Sequence, residues 1–79
     1  MNTKEVIEGF IADPMPTRKS GGAVTASNGV LLSYAMIIAK VSGDKFLVRK
    51  RGPSVTTNKH LGMVRRAIPA SLQVEVDEI

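Results

Sequence analysis

The tight turn at residues 42–45 constrains the fold of this chain more than any other feature. Its Ser-Gly-Asp-Lys sequence is typical of a two-residue hairpin loop, which sets the pairing of the strands on either side. In that register five apolar residues share one face, which we expect to be the core face: Ile37, Ala39, Val41, Phe46 and Val48. A slip of one residue would bury cations instead, so pattern and turn chemistry predict the same hairpin.

The opposite face of this hairpin is predicted to be basic. The same register places four cations there, beside Ile38 and Leu47: Lys40, Lys45, Arg49 and Arg51. Eight basic residues and a single acid, Asp44, lie between residues 40 and 66, a net charge of +7 in a chain whose total is +4. Residues 67–79 contain three acids and no base. We therefore expect a concentrated positive field in the middle of the chain.

Helix signals lie on both sides of the strand region. Asn2 and Glu5 have the spacing of a capping box before an apolar stripe, so residues 1–13 are predicted to form a helix that stops at Pro14. Thr57 is predicted to cap a second, basic helix from residue 58 to residue 67. The pair Asn28-Gly29 predicts another hairpin turn.

These elements predict one α+β domain covering residues 1–79. It contains an N-terminal helix (1–13), a flexible arm rich in proline and glycine (14–22), β-hairpins followed by the basic helix (23–68), and an acidic C-terminal strand or tail (69–79). We expect a small antiparallel sheet of three to four strands with the second helix packed on it. Because a core of this size is thin, a homodimer is a reasonable expectation.

The sequence contains few residues of the types that catalyse reactions or bind metals. The chain has no cysteine, so it has no disulfide framework, and its one histidine, His60, lacks a second histidine or a cysteine to share a metal with. A triad with Ser54 would need an orienting carboxylate, and the nearby sequence offers only Asp44. We interpret His60 as a partly buried structural residue and expect no enzymatic activity, metal or cofactor.

Location is predicted from the same composition. Residues 1–5 have neither a basic nor an apolar signal region, and the longest apolar run is too short to cross a bilayer. We expect a cytoplasmic protein without a membrane partner.

The start of the second helix offers a candidate anion site. Unpaired backbone N–H groups there attract negative charge, and three residues could assist them: Thr56, Thr57 and Lys59. The alternative is that Thr57 is an ordinary cap while Lys59 points into water.

Three short motifs resemble a group of short, uncharacterised bacteriophage and viral proteins. The motifs are Ser33-Tyr34, Ile38-Ala39, and a stretch carrying Ser54, Thr56, Thr57, Lys59 and His60. Pro53 stands where the group has tyrosine. The resemblance implies a viral origin, and hence the cytoplasm of a host cell, and a β-β-β-α order. It implies no known activity.

Two kinds of partner fit the basic segment. The first is nucleic acid, mainly double-stranded, bound through phosphate contacts from one patch of seven cations: Lys40, Lys45, Arg49, Arg51, Lys59, Arg65 and Arg66. The second is a host protein with an acidic surface, which a phage-encoded protein would inhibit or redirect. A further hypothesis is that acids at residues 75–78 cover the basic face until a partner displaces them.

Overall fold

The structure, a computed structural model, describes all 79 residues as two α-helices, six strands and a short 3-10 turn at Ala70–Leu72. The elements are α1 (Thr3–Ala12), β1 (Arg18–Lys19), β2 (Val24–Ser27), β3 (Val30–Ser33), β4 (Met36–Ser42), β5 (Lys45–Arg49), α2 (Val55–Ala67) and β6 (Gln73–Val76). The α+β class is confirmed. The expected three or four strands are too few, because six form one sheet. Neither helix has the length and apolar character needed to cross a membrane.

The capping box predicted for α1 is present. The Glu5 backbone N–H donates to Asn2 Oδ1 at 2.8 Å, and the Asn2 N–H donates to Glu5 Oε1 at 2.9 Å. Two of the otherwise unpaired donors at the helix start are thereby satisfied. The helix buries an apolar stripe of Val6, Ile7 and Phe10 against the sheet.

The six strands lie in chain order, β1 to β6. The first five pair antiparallel, whereas β6 pairs parallel to β5. The expectation of an antiparallel sheet therefore fails at its last strand, since a crossover helix returns the chain to the end of the sheet where β5 began. The arm predicted over residues 14–22 contributes β1, so part of it is built into the sheet.

The hairpin register read from the sequence is confirmed on one side of a β-bulge. Ala39 pairs with Val48, and Val41 pairs with Phe46. The register between β3 and β4 shifts next to Leu31, so Ile38 enters the core while Ile37 pairs with Leu32 on the opposite face. The predicted positions of Ile37 and Ile38 were therefore exchanged, because a bulge adds one residue and reverses the alternation beyond it.

Helix α2 begins earlier than predicted. Its N-cap is Ser54, whose hydroxyl accepts from the Thr57 backbone N–H at 3.2 Å, and Thr57 lies inside the first turn. Both helices contribute to one core cluster on the same face of the sheet. The sheet is therefore packed on one side only, and this asymmetry positions the surfaces described next.

Candidate binding surfaces

The face of the sheet turned away from both helices, the outer face, carries a strip of aliphatic side chains. They come from four different strands: Val30, Leu32, Ile37, Leu47, Val74 and Val76. None belongs to the core cluster or packs against it. No helix or further strand lies over this face, so the strip is only half-buried, with Val74 37% exposed.

Cations surround this strip. Pairing places four of them on the outer face: Lys19, Lys40, Lys45 and Arg49. Lys40 stands between Val30 and Leu47 on the neighbouring strands. No strand residue on this face is acidic. The outer face therefore combines an apolar centre with cations that no strand carboxylate on the same face offsets. At its edge Arg49 lines a cleft with Asp77 and Glu78.

Two of these cations are held in place by backbone carbonyls. Arg49 Nε donates to the Ile37 carbonyl and Arg49 Nη1 to the Asp77 carbonyl, both at 3.3 Å. Lys45 Nζ donates to the Ser71 carbonyl at 3.0 Å. A carbonyl orients a cation without cancelling its charge, so both side chains are positioned and still able to meet an anion.

The remaining predicted binding cations lie elsewhere, so the single patch expected from the sequence is not formed. Lys59, Arg65 and Arg66 are on α2, which packs on the opposite side of the sheet, and Arg51 lies in the loop between β5 and α2. Arg65 pairs with Glu75 at 3.1 Å and also donates to two carbonyls at the end of β5. Arg66 borders a cleft of about 300 Å³ between the two helices.

The acidic tail meets cations at the edge of the sheet. Asp77 lies 3.6 Å from Lys50 Nζ, and Glu75 contacts Arg65 on the helix side. Neither carboxylate contacts Lys40 or Lys45. The tail therefore leaves most of the outer face uncovered.

A buried polar network ties α2 to the sheet. Ser33 Oγ lies 2.8 Å from His60 Nδ1 and 3.5 Å from Thr57 Oγ1, which in turn lies 3.1 Å from Ser54 Oγ. Ser33, Thr57 and His60 are all buried. No buried side-chain nitrogen or oxygen lacks a partner, so the network is satisfied and rigidifies the contact between β3 and α2.

This network changes the interpretation of the predicted anion site. Thr57 is buried and its hydroxyl is engaged within the protein, so a ligand from solvent does not reach it. Thr56 and Lys59 are exposed on the first turns of α2. Asn58 clamps the preceding loop through Gly52, accepting from its N–H at 2.8 Å and donating to its carbonyl at 3.1 Å.

Four of the nine residues that carry the viral resemblance belong to this structural network. Ser33, Ser54, Thr57 and His60 join the start of α2 to the sheet. No family model, curated protein or solved structure matches this chain. Kinship with short viral proteins therefore stays a prediction.

The pairing of Ser33 with His60 does not have the geometry of a hydrolytic dyad. In such a dyad the imidazole Nε2 takes the proton of an accessible hydroxyl. Here Nδ1 makes the contact, and Ser33 is 1% exposed. No cluster of three histidine, cysteine or carboxylate side chains able to hold a metal ion occurs in the structure.

Tyr34 is the unusual residue beside this network. It begins the turn between β3 and β4 with a φ of 55°. Residues other than glycine and asparagine seldom adopt this left-handed backbone conformation. The residue is 58% exposed, and its ring lies 6.3 Å, centroid to centroid, from that of His60. The network and this aromatic contact hold the turn in place at one end of the sheet.

The environment of His60 makes stability depend on pH. Burial, and secondarily the charge of Lys59, lower the pKa of His60 below its ordinary 6.5. The unfolded chain therefore takes up a proton that the folded protein resists. We expect the stabilisation from neutral His60 to be complete above pH 6.5 and to be lost as the pH falls below it.

Urea unfolding at about pH 7.5 and about pH 5 measures this effect, because histidine is the one side chain that ordinarily titrates in that window. The midpoint should be lower at the acidic pH. His60→Gln should remove most of the difference, and Lys59→Gln should reduce it only in part. An equal pH dependence in wild type and His60→Gln contradicts the assignment.

Sequence reasoning missed most of the apolar strip on the outer face. Only Leu47 was placed there, because both alternating phases of residues 30–33 and 36–39 are largely apolar. A signal was available in Val74 and Val76, which alternate with polar neighbours. In the structure these two residues face outward, because Gln73 and Glu75 occupy the core side, where they contact α2.

Proposed function

We propose that this chain is a non-catalytic binding protein that docks on a partner protein through the outer face of its sheet. The partner surface is apolar at its centre and acidic at its rim. One observation carries the proposal: six aliphatic side chains and four cations share a sheet face that has no acidic strand residue and no covering element. Apolar surface gains by leaving water, and the surrounding cations select a partner of opposite charge.

Nucleic acid remains the competing partner, and the arrangement of side chains supports it less. Phosphate binding is stronger where cations converge. The predicted binding cations of this chain instead lie on two surfaces, the outer face and the far side of α2. Binding of single strands relies on aromatic platforms. Phe10 and Phe46 are buried in the core, and Tyr34 lies at a turn beside His60.

Viral origin and the effect on the partner are part of the same proposal. If the resemblance to short phage proteins holds, the partner is a host protein that this chain inhibits or redirects in the host cytoplasm. A chain whose buried polar network is structural would act by occupying a surface and not by chemistry. Such a protein needs a preformed, rigid face, which a sheet packed on one side provides.

Matched charge reversals test the docking surface. The outer-face pair Lys40→Glu/Arg49→Glu and the α2 pair Lys59→Glu/Arg66→Glu change the net charge equally. Capture of partner proteins from bacterial lysate, with nuclease present, should fall at least tenfold for the outer-face pair and change little for the α2 pair. Leu47→Asp, which places an acid in the apolar centre without touching the core, should also abolish capture.

A defined duplex DNA supplies the other arm of the test. Anisotropy with a labelled duplex at low and moderate salt should detect only weak binding, reduced similarly by both reversed pairs. Tight, salt-dependent binding of the duplex, together with capture that nuclease destroys, would show nucleic acid to be the partner. Equal loss of protein capture in both reversed pairs would also exclude docking through the outer face.

A further inference from the structure

We propose that two copies of this chain associate through β6, pairing these strands antiparallel about a two-fold axis at Val74. β6 is an edge of the sheet and has no neighbour on its far side. An unprotected edge is a template for strand pairing. The other edge, β1, has two residues between a proline-containing and a glycine-rich segment, so it offers little to pair with.

The free hydrogen-bonding groups of β6 follow from its pairing with β5. The Val76 carbonyl accepts from the Lys50 N–H at 2.9 Å, so Val76 directs its backbone groups toward β5. Alternate residues of a strand point the same way, and Val74 therefore does so too. Gln73 and Glu75 direct theirs to the open edge, where the Gln73 N–H already donates to the Ala70 carbonyl. The Gln73 carbonyl and both backbone groups of Glu75 remain for a second strand.

Two antiparallel registers would use these groups. They differ in which charged residues they place opposite each other. An axis at Glu75 would set Glu75 against its own copy and Gln73 against Asp77. An axis at Val74 sets Glu75 opposite Gln73 of the second copy. Like charges directly opposite each other destabilise a strand pair, so the axis at Val74 is favoured.

The charges along β6 tolerate this register. Glu75 is paired with Arg65 of its own chain, which limits repulsion at the centre. Self-association through the outer face would instead bring two sets of four cations together with no strand carboxylate between them.

The β6 pairing has a consequence for the docking surface. A two-fold axis perpendicular to the sheet joins both outer faces into one continuous twelve-stranded surface, with Val74 and Val76 of each copy at its centre. The proposed binding surface would then be doubled. The self-association itself does not depend on the docking proposal and is tested without any partner.

Single cysteines test the register directly, because the chain has no cysteine of its own. At the axis, Val74 faces its copy in a non-hydrogen-bonded pair with a Cα separation of about 4.5 Å, within the range that a disulfide spans. Two Val76 residues would lie roughly 13 Å apart. With oxidised glutathione as the oxidant, Val74→Cys should become mainly a disulfide-linked dimer and Val76→Cys should not. Equal cross-linking of both variants, or none in either, overturns the proposal.

Sedimentation equilibrium gives a second test, in which the mass of the wild type should rise from that of one chain toward that of two as the concentration increases. Glu75→Pro removes the backbone N–H that would donate to the Gln73 carbonyl of the second copy, and it should weaken association at least tenfold. Glu75→Ala keeps this N–H and should have little effect. Equal association of the two variants contradicts the pairing, and a wild type that stays monomeric up to roughly 1 mM contradicts the dimer.

Discussion

Phe10→Ala is expected to remove about 3–5 kcal/mol of the free energy of unfolding. The Phe10 side chain is fully buried, and its ring meets that of Phe46 edge to face at a centroid distance of 5.6 Å. Truncation would leave a cavity between α1 and the sheet and remove this aromatic contact. A domain of this length has a total stability of only about 4–12 kcal/mol, so the variant should be largely unfolded in moderate urea.

Equilibrium urea unfolding followed by circular dichroism measures the loss. Phe10→Leu keeps most of the buried volume and should lose less than half as much. Tyr34 is 58% exposed, so Tyr34→Ala should change stability by less than about 1 kcal/mol. A Phe10→Ala midpoint close to that of the wild type would mean that α1 does not anchor the core.

The parts of the fold that depend on local signals could be predicted from the sequence. The capping box at Asn2 needs two residues three positions apart, and the register of β4 with β5 needs only the Gly43-Asp44 turn and the alternation beside it. Asn28 and Gly29 both adopt the positive φ angles that their pairing predicts. Each of these features is decided by neighbours in the chain.

The features that depend on distant residues were missed. The bulge that exchanges Ile37 and Ile38 lies in a run where every residue is apolar, so no alternation marks it. Ser54 and Thr57 are both good N-caps by type, and the choice between them depends on burial of Thr57 under the sheet. The parallel placement of β6 follows from the path of α2, which no local pattern encodes.

The separation of the basic residues, in contrast, is already implied by the predicted hairpin. If Lys40 and Arg49 occupy the face opposite the core, a helix packed on the core side cannot add its cations to them. Arg65 and Arg66 are on that helix. The expectation of one patch rested on the net charge along the chain. It did not consider on which side of the sheet each element lies.

Two glycines, one just before α2 and one inside it, should respond oppositely to substitution by alanine. A Cβ on Gly52 would lie 2.8 Å from Thr57 Cβ and closer still to its methyl group. Thr57 cannot move away easily, because it is buried and hydrogen-bonded, and Asn58 clamps Gly52 from the other side. Gly52→Ala should therefore cost about 3 kcal/mol, the upper part of the range for overpacking.

Gly62 lies inside α2 with open space around it. A Cβ there meets nothing closer than Arg66 Nη1 at 3.6 Å, an ordinary contact with a flexible side chain. Glycine in a helix interior is less favourable than alanine by about 0.8–1.0 kcal/mol. Gly62→Ala should therefore stabilise the protein by close to that amount, since no neighbouring backbone requires the glycine.

Urea midpoints of the two variants measured side by side give the comparison, and a compensating change identifies the cause. Thr57→Ser removes the methyl group that a Cβ on Gly52 would strike and keeps the hydroxyl that bonds within the network. Thr57→Ser should therefore recover part of the stability that Gly52→Ala loses, so the two changes together cost less than the sum of their separate effects. Strictly additive losses would mean that the contact between Gly52 and Thr57 is looser than the structure indicates. A destabilised Gly62→Ala would mean that another surface approaches α2 at that point.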